Sequence, residues 1–286
     1  INSNLRGEVK NSDLTISKIR GTIALKTEST DSELDNMSGD INLSTKGGNI
    51  STNKLSGNLE LAVISGDINI FDCNANAVTT IDNGNILING MKGNLKSNTT
   101  LGESLITNFE GKNCVFNINV GNLKVNECIS NLNANIDIGS ISISNLQGSV
   151  SLFTGKGEIN LNNIIGGVNC NTNFGNVNGS NLFGRVNANS ELGDIVINKG
   201  YNSFLNDHSI NLITQRGSIT VRLPSELPYA ITSQCNNLET RSAISSEIPL
   251  DEEFLAAKVI AQGKIKEGTI SCNLSSNYGP ISIYTN

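Results

Sequence analysis

The chain has 286 residues, a net charge of −6 at pH 7 and a pI near 4.9, and 16% of its residues are charged. This acidic balance argues against nucleic-acid binding, which requires a basic surface. The sequence contains neither a run of eighteen apolar residues nor a basic amphipathic helix, so we expect no direct membrane insertion.

Loosely spaced segments open the chain from Ile1 to Asn36. They read LRGEV, LTISKI and RGTIALK, and their uneven spacing is typical of the terminal region of a repeat protein. An acidic stretch overlaps the end of this region and is made of Glu28, Asp31, Glu33, Asp35 and Asp40. Its spacing matches no calcium-loop template, so we interpret it as a solvated charged turn.

A nine-residue pattern then recurs from Met37 to Lys199. It reads apolar, any residue, Gly, Asn or Asp, apolar, any residue, apolar, as in MSGDINL, ISGDINI and ELGDIVI. The glycine is replaced once by Ala75, and one extra residue precedes Gly121. A fixed period of this kind indicates a repeat architecture. We expect the extra residue, between Phe109 and Gly121, to form a bulge or a wider turn rather than a domain break.

Aliphatic residues stand two and four positions after most of the glycines, and this alternation predicts short strands with one buried face. The predicted inward positions are Ile41, Leu43, Ile50, Leu59, Leu61, Ile68, Ile70, Ile86, Ile88, Leu95, Leu123, Val125, Ile141, Ile143, Val150, Leu152, Ile159, Leu161, Val168, Val177, Val186, Ile195 and Ile197. Such short units must cover each other by stacking. We therefore predict an all-β, single-stranded parallel β-solenoid (a β-helix or β-roll), right-handed, with about 18 residues per coil. A triangular coil of another length stays open as an alternative.

The repeat falters from Tyr201 to Ser209 and returns in GSITVRLP. Residues 251–258 are compatible with a short helix, although the Val-Ile that follows favours a strand; GTISCNL and GPISIYT then supply two last strands. We interpret residues 1–216 as solenoid repeats, irregular over 1–36 and regular over 37–199. Residues 217–286 form the closing coils and irregular C-terminal cap of the same domain, which cover the open edge.

The residues that usually carry chemistry are sparse. The six cysteines form no CxxC pair, and most occupy predicted inward positions, so we expect reduced core thiols. His208 is the single histidine, and no GxSxG motif accompanies it, so we expect an exposed loop residue. One histidine and scattered cysteines cannot supply a catalytic zinc site. We therefore predict no catalytic, cofactor-binding or metal-binding residue and no cofactor.

Two ligand-binding architectures with similar repeats fit less well. The calcium-binding β-roll needs tandem glycines and aspartates, whereas Asp40, Asp67 and Asp194 follow single glycines and lie far apart in the predicted stack. Carbohydrate-active β-helices need paired carboxylates and aromatic platforms, and this chain has no Trp and four Tyr. A carbohydrate-binding or carbohydrate-active β-helix stays as a further alternative.

The repeated units, then GSITVRLP, an irregular insertion and GxxxxGTIxxxxxxxxGPISIY, resemble a bacterial adhesin-like domain family of unknown function. The resemblance covers essentially the whole chain and brings no catalytic or ligand residues with it. It implies a β-solenoid at the cell surface or outside the cell, with a structural or adhesive role.

These observations give three functional hypotheses. The first is a non-enzymatic scaffold that binds a host or surface glycan or a protein. The second is a self-assembling subunit of an extracellular filament, sheath or array, which would expose apolar residues at the Ile1 end or on a side face. The third is sugar binding, which would group Tyr, Asp and Asn in one groove. The 46 Asn residues suit turns and stacked amide ladders under any of the three.

Overall fold

A computed structural model describes residues 4–236 and 243–286. Within these ranges the chain forms strands, turns and bends and contains no helix. It divides into two compact units, Ile1–Gly139 and Ser140–Asn286, which we describe separately.

The strands of the first unit are β1 (Leu5–Lys10), β2 (Leu14–Ser17), β3 (Ile23–Glu28), β4 (Ser32–Ser38), β5 (Ile41–Thr45), β6 (Ile50–Ser65), β7 (Ile68–Phe71), β8 (Asn74–Asn83), β9 (Ile86–Lys92), β10 (Leu95–Leu101), β11 (Ser104–Val120) and β12 (Leu123–Ile138). They pair in parallel with the strand one coil further along the chain. Ile50 lies beside Ile68, and Ile68 lies beside Ile86, at a constant offset of 18 residues.

The strands of the second unit are β13 (Ile141–Gln147), β14 (Val150–Lys156), β15 (Ile159–Ile165), β16 (Val168–Phe174), β17 (Val177–Leu182), β18 (Val186–Leu192), β19 (Ile195–Lys199), β20 (Ile210–Arg216), β21 (Ile219–Leu223), β22 (Tyr229–Cys235), β23 (Ile244–Ser246), β24 (Leu250–Leu255), β25 (Lys258–Lys264), β26 (Ile270–Ser276) and β27 (Ile281–Thr285). The same offset recurs here, because Ile141 pairs with Ile159 and Ile159 with Val177.

The predicted parallel β-solenoid with coils of about 18 residues is therefore confirmed. Every aliphatic residue that the alternation placed inward is buried in its own unit. Residues at equivalent positions of successive coils are apolar and stack on each other in a column. Because each column continues from coil to coil, its side chains are shielded from water.

The corners of the coil account for the glycine and asparagine positions. At Gly102 the backbone has φ of +147°, and a Cβ there would overlap the carbonyl oxygen of Gly84, one coil before it. A second corner holds Asn145, Asn163 and Asn181 at φ values of 54°, 57° and 53°. Asparagine tolerates this left-handed conformation better than most residues. The amide of Asn163 also donates to Oδ1 of Asn145 at 2.8 Å, so the corner carries an amide ladder.

The extra residue near Phe109 forms the predicted bulge. The pairing of β11 with β12 shifts by one residue between Glu110 and Asn113. Gly111 and Lys112 thus stand opposite a single residue of the next coil, and Lys112 is exposed. The parallel pairing resumes directly afterwards, so the insertion stays local.

The C-terminal strands do not stack in the order of the sequence. The final strands β26 and β27 stack directly on β20 and β21, whereas the earlier strands β22 and β23 pair on their outer side. The helix alternative for residues 251–258 is wrong, because β24 and β25 form an antiparallel hairpin there. Pairing of Val259 with Cys235 of β22 extends the sheet and fixes the hairpin as strands.

Candidate functional site

One face of the second unit carries a shallow trough of about 380 Å³ across strands β13, β15, β17 and β19. Residues that alternate with the core side chains point outward here and form two rows along the stack. The first row is Ser142, Asn160, Asn178 and Val196, and the second is Ser144, Asn162, Ser180 and Asn198. We call this surface, together with its floor of Ile143, Leu161 and Gly179, the outer trough.

The floor of the outer trough depends on an interruption in a core column. Gly179 occupies the inward position between Leu161 and Ile197, where the neighbouring coils carry large aliphatic side chains. The space is filled from the side, since a Cβ on Gly179 would lie 2.6 Å from Cδ1 of Leu182. The small outward residues of both rows leave a concave surface.

Hydrogen bonds between coils fix the side chains of the outer trough. Asn178 Nδ2 donates to Asn160 Oδ1 at 2.9 Å, and Ser180 Oγ donates to Asn162 Oδ1 at 2.9 Å. The lining residues include no ionisable side chain. The trough can therefore donate and accept hydrogen bonds, but its lining offers no ionisable group for acid–base chemistry or to activate its serine hydroxyls.

A depression in the first unit has a different character. It has a volume of about 280 Å³ and is lined in part by Lys26, Lys46 and Asp82 beside the exposed side chain of Ile64. Its charges are mixed, so it favours no single class of ligand.

The acidic residues of the first unit form salt bridges and hydrogen bonds within the fold. Glu28 lies between Lys10 and Lys46, with carboxylate–ammonium distances of 3.1 and 3.9 Å, and this partnership lowers the pKa of Glu28. Asp35 and Asp40 each accept a hydrogen bond at 2.8 Å from an asparagine amide one coil further on. Among the described residues, no group of three or more His, Cys, Asp or Glu could hold a metal ion.

A second polar ladder alternates acids with amides. Asp31 Oδ1 accepts from the backbone N–H of Asn49 at 2.7 Å, and the same contact repeats from Asn49 to Asp67, from Asp67 to Asn85, and from Asn85 to Glu103. Because an uncharged amide separates each acid from the next, like charges lie two coils apart, about 10 Å. The alternation limits their repulsion.

All six cysteines are buried, which confirms their predicted core position, and none is bonded to another. Burial raises the pKa of Cys128, Cys170 and Cys272 to about 12. A thiol in this environment is a weak nucleophile because the thiolate is disfavoured.

The prediction of an exposed His208 is wrong, since its side chain is 5% exposed. Residues 200–209, which we call the 200–209 loop, connect β19 to β20 and place His208 inward. The Tyr201 ring lies 5.7 Å from the imidazole, and the Tyr229 hydroxyl donates to the His208 carbonyl oxygen at 3.1 Å. The polar sequence Asn-Asp-His-Ser suggested a solvated loop, but tertiary contacts bury the histidine side chain.

Lys199 is a buried residue that the sequence analysis missed. A core column of the second unit runs Leu146, Ile164 and Leu182, and a one-residue register shift in the pairing of β17 with β19 then places Lys199 in the next position. The lysine is 1% exposed, and its Nζ donates to the Leu182 carbonyl oxygen at 2.9 Å. Burial lowers its pKa to about 7. Only an alignment of repeats that allowed for this shift could have identified the position.

Exposed apolar residues form a row at one corner of the first unit. Leu101, Val120 and Ile138 immediately precede corner glycines and lie one coil apart, and they are 48%, 40% and 49% exposed. We call them the apolar row. Ile1, where the filament hypothesis also placed exposed apolar surface, lies outside the described residues.

Comparisons with known proteins return nothing for this chain: no family model, no curated protein and no solved structure matches it. Among the described residues, no helix could span a membrane. The adhesin-like resemblance accordingly stays a hypothesis that rests on the repeat units and the C-terminal pattern.

Proposed function

We propose that this protein is a non-enzymatic, adhesin-like β-solenoid at the cell surface or outside the cell, and that it binds surface glycans through the outer trough. The observation that carries the proposal is the trough itself, in which two rows of fixed amides and hydroxyls line an uncharged concave surface.

The chemistry of the trough favours a neutral ligand with many hydroxyl groups. Asn160 and Asn178 hold each other in place and keep further hydrogen-bonding capacity, because an amide has two donor hydrogens and two acceptor lone pairs. A charged ligand would find no counter-charge among these residues. Val196, which is 42% exposed at the end of the first row, adds an apolar contact for the C–H face of a sugar ring.

Repetition supports adhesion rather than tight binding of a single small molecule. Outward positions recur about every 4.8 Å along the stack, so one ligand chain can contact several coils. Each contact is weak, yet contacts held on a rigid scaffold add without a further loss of ligand freedom. Such binding suits an adhesin-like scaffold.

A glycan array, with a panel of surface proteins as a second arm, tests the proposal. We expect glycan binding that weakens about tenfold in Asn160→Ala and in Asn178→Ala, because each change removes one or two hydrogen bonds. Asn169→Ala is the matched control, since Asn169 is an exposed asparagine on β16, outside the trough. Equal weakening in the control, or wild-type binding to proteins alone, would refute the glycan assignment.

Self-assembly is a second candidate, and the apolar row favours it. A row of exposed aliphatic side chains on a rigid edge can pack against the same row of another copy. Sedimentation velocity over a concentration series would detect the association. We expect Leu101→Ser combined with Val120→Ser to abolish it, whereas a monomeric wild-type protein at every concentration would dismiss this candidate.

A further inference from the structure

The environment of Lys199 goes beyond what a binding scaffold needs. The side chain lies in an apolar column, 1% exposed, directly after Leu182. A lysine ammonium has three donor hydrogens, and among the described residues this Nζ donates to the Leu182 carbonyl oxygen alone. A charged lysine here would leave donors unsatisfied in a dry site, so the closed loop requires the neutral amine.

The 200–209 loop lies beside this site, since Asp207 and His208 of the loop both interact electrostatically with Lys199. It brings His208 inward, where the ring atom Nδ1 is buried without a hydrogen-bond partner. Gly200 lies against the Phe183 ring, where a Cβ would come within 2.6 Å of the ring carbon Cε1. The loop therefore lies over two basic side chains, and for each of them burial outweighs the interactions that favour the charged form.

Among the residues that the structure describes, no ion pair compensates for these two bases. The charged and titratable groups that face them from the packed elements are Asp207 and Tyr201 of the loop, Arg185 after β17, and Tyr229 of β22. Asp207 is exposed, and its Oδ1 accepts hydrogen bonds from the backbone N–H and the hydroxyl of Ser209 at 3.0 and 2.6 Å. Its attraction for Lys199 is smaller than the effect of burial. The strands β17 and β19 contribute no other charged residue.

We propose that the 200–209 loop is a pH-sensitive cover, which is closed over the neutral forms of Lys199 and His208 and opens when these side chains are protonated. Opening gives both charges access to water and exposes the end of the core column at Leu182. The protein would thus present a different surface beside β17 and β19 in acidic surroundings. The inference does not depend on the proposed glycan binding.

The direction follows from linkage. Burial lowers the pKa of Lys199 to about 7, and in the open loop the lysine regains its ordinary value of 10.5. The open form therefore binds the proton more readily, and falling pH favours opening until the closed form is also protonated. With these two values, the opening constant rises roughly tenfold from pH 8 to pH 6. Burial also lowers the pKa of His208, which extends the rise towards lower pH.

Hydrogen exchange measured by mass spectrometry on the full chain tests the proposal. The reporting amides are those of Gly200, Leu205 and Ser209, which are hydrogen-bonded in the closed loop. After correction for intrinsic rates, we expect their exchange to quicken at least tenfold between pH 8 and pH 6 in the wild type. In Lys199→Met the change should fall to about fourfold or less, because only His208, with its ordinary pKa of 6.5 in the open loop, still titrates. Lys124→Met, at an exposed lysine on β12, should behave as the wild type.

Two outcomes overturn the proposal: pH-independent protection in the wild type, or an unchanged tenfold response in Lys199→Met. If Lys199→Met fails to fold, an NMR titration of wild-type protein with ¹³Cε-labelled lysine decides instead. One lysine titrating near pH 7 supports the cover, and a full set titrating near pH 10 refutes it.

Discussion

The assignment of inward and outward faces can be tested at two adjacent residues with the same substituent. Ile68 is fully buried between Ile50 and Ile86, whereas the next residue, Asn69, points outward. We expect Ile68→Asp to unfold the first unit or to destabilise it severely. We expect Asn69→Asp to change its stability by less than about 0.5 kcal/mol, as for most surface substitutions.

The magnitude has two parts. Loss of the Ile68 side chain from a packed core costs about 2–5 kcal/mol. A buried carboxyl without a partner has its pKa raised by up to about 3–5 units, so it is largely protonated at pH 7 and adds about 4 kcal/mol there. The sum approaches the whole free energy of unfolding of a typical domain, about 5–15 kcal/mol.

Urea denaturation followed by circular dichroism measures both variants. Because a protonated carboxyl avoids the second cost, Ile68→Asp should regain stability as the pH falls from 7 towards 4, and Asn69→Asp should not. Equal midpoints for the two variants, or a larger loss for Asn69→Asp, would refute the assigned register.

Three further predictions concern corners, the bulge and the buried lysine. Gly102→Ala should cost about 2–4 kcal/mol in urea denaturation, since the new Cβ meets a backbone carbonyl at positive φ. Deletion of Lys112 should change stability by less than about 1 kcal/mol because it restores an 18-residue coil. Deletion of Lys124 should unfold the first unit, because the one-residue shift would turn inward side chains of β12 outward and outward side chains inward. Lys199→Met should raise the unfolding free energy by about 3 kcal/mol at pH 7, from about 4 kcal/mol of relieved burial less a lost hydrogen bond. Between pH 7 and about pH 8, below the range in which the thiols of the unfolded chain ionise, wild-type stability should climb because the unfolded chain binds the proton that the folded chain rejects, and this rise should vanish in the variant; a flat wild-type profile over this range would contradict it.

The core of the fold was predictable because the same alternation of inward and outward residues recurs in each repeat. Ile159 and Cys170 could be assigned inward from local alternation alone, and the coil length followed from the two classes of nine-residue unit. The bulge at Lys112 was equally visible, since an insertion must interrupt a fixed period.

The C-terminal order was not predictable in the same way. Strands β22 and β26 both alternate, and alternation shows which face of a strand is buried but not which strand lies beside it. The sequence neighbour is a good guess when connections are short. Here residues 224–269 separate β21 from β26, and the later strand takes the inner place.

The candidate sites could not be predicted from the repeat, because they lie where the chain departs from it. In a solenoid, stacking favours the same kind of side chain at equivalent positions of successive coils. A residue of a different kind at such a position costs stability and needs another explanation. Gly179 among aliphatic neighbours and Lys199 after Leu182 are two such departures, and both lie on β17 and β19. The 200–209 loop, which interrupts the 18-residue offset, adjoins the same strands. At Gly179 the neighbouring Leu182 fills the space, whereas the buried amine of Lys199 weakens the stack to which it belongs. The two proposals rest on these two departures, whereas the regular coils around them follow from stacking alone.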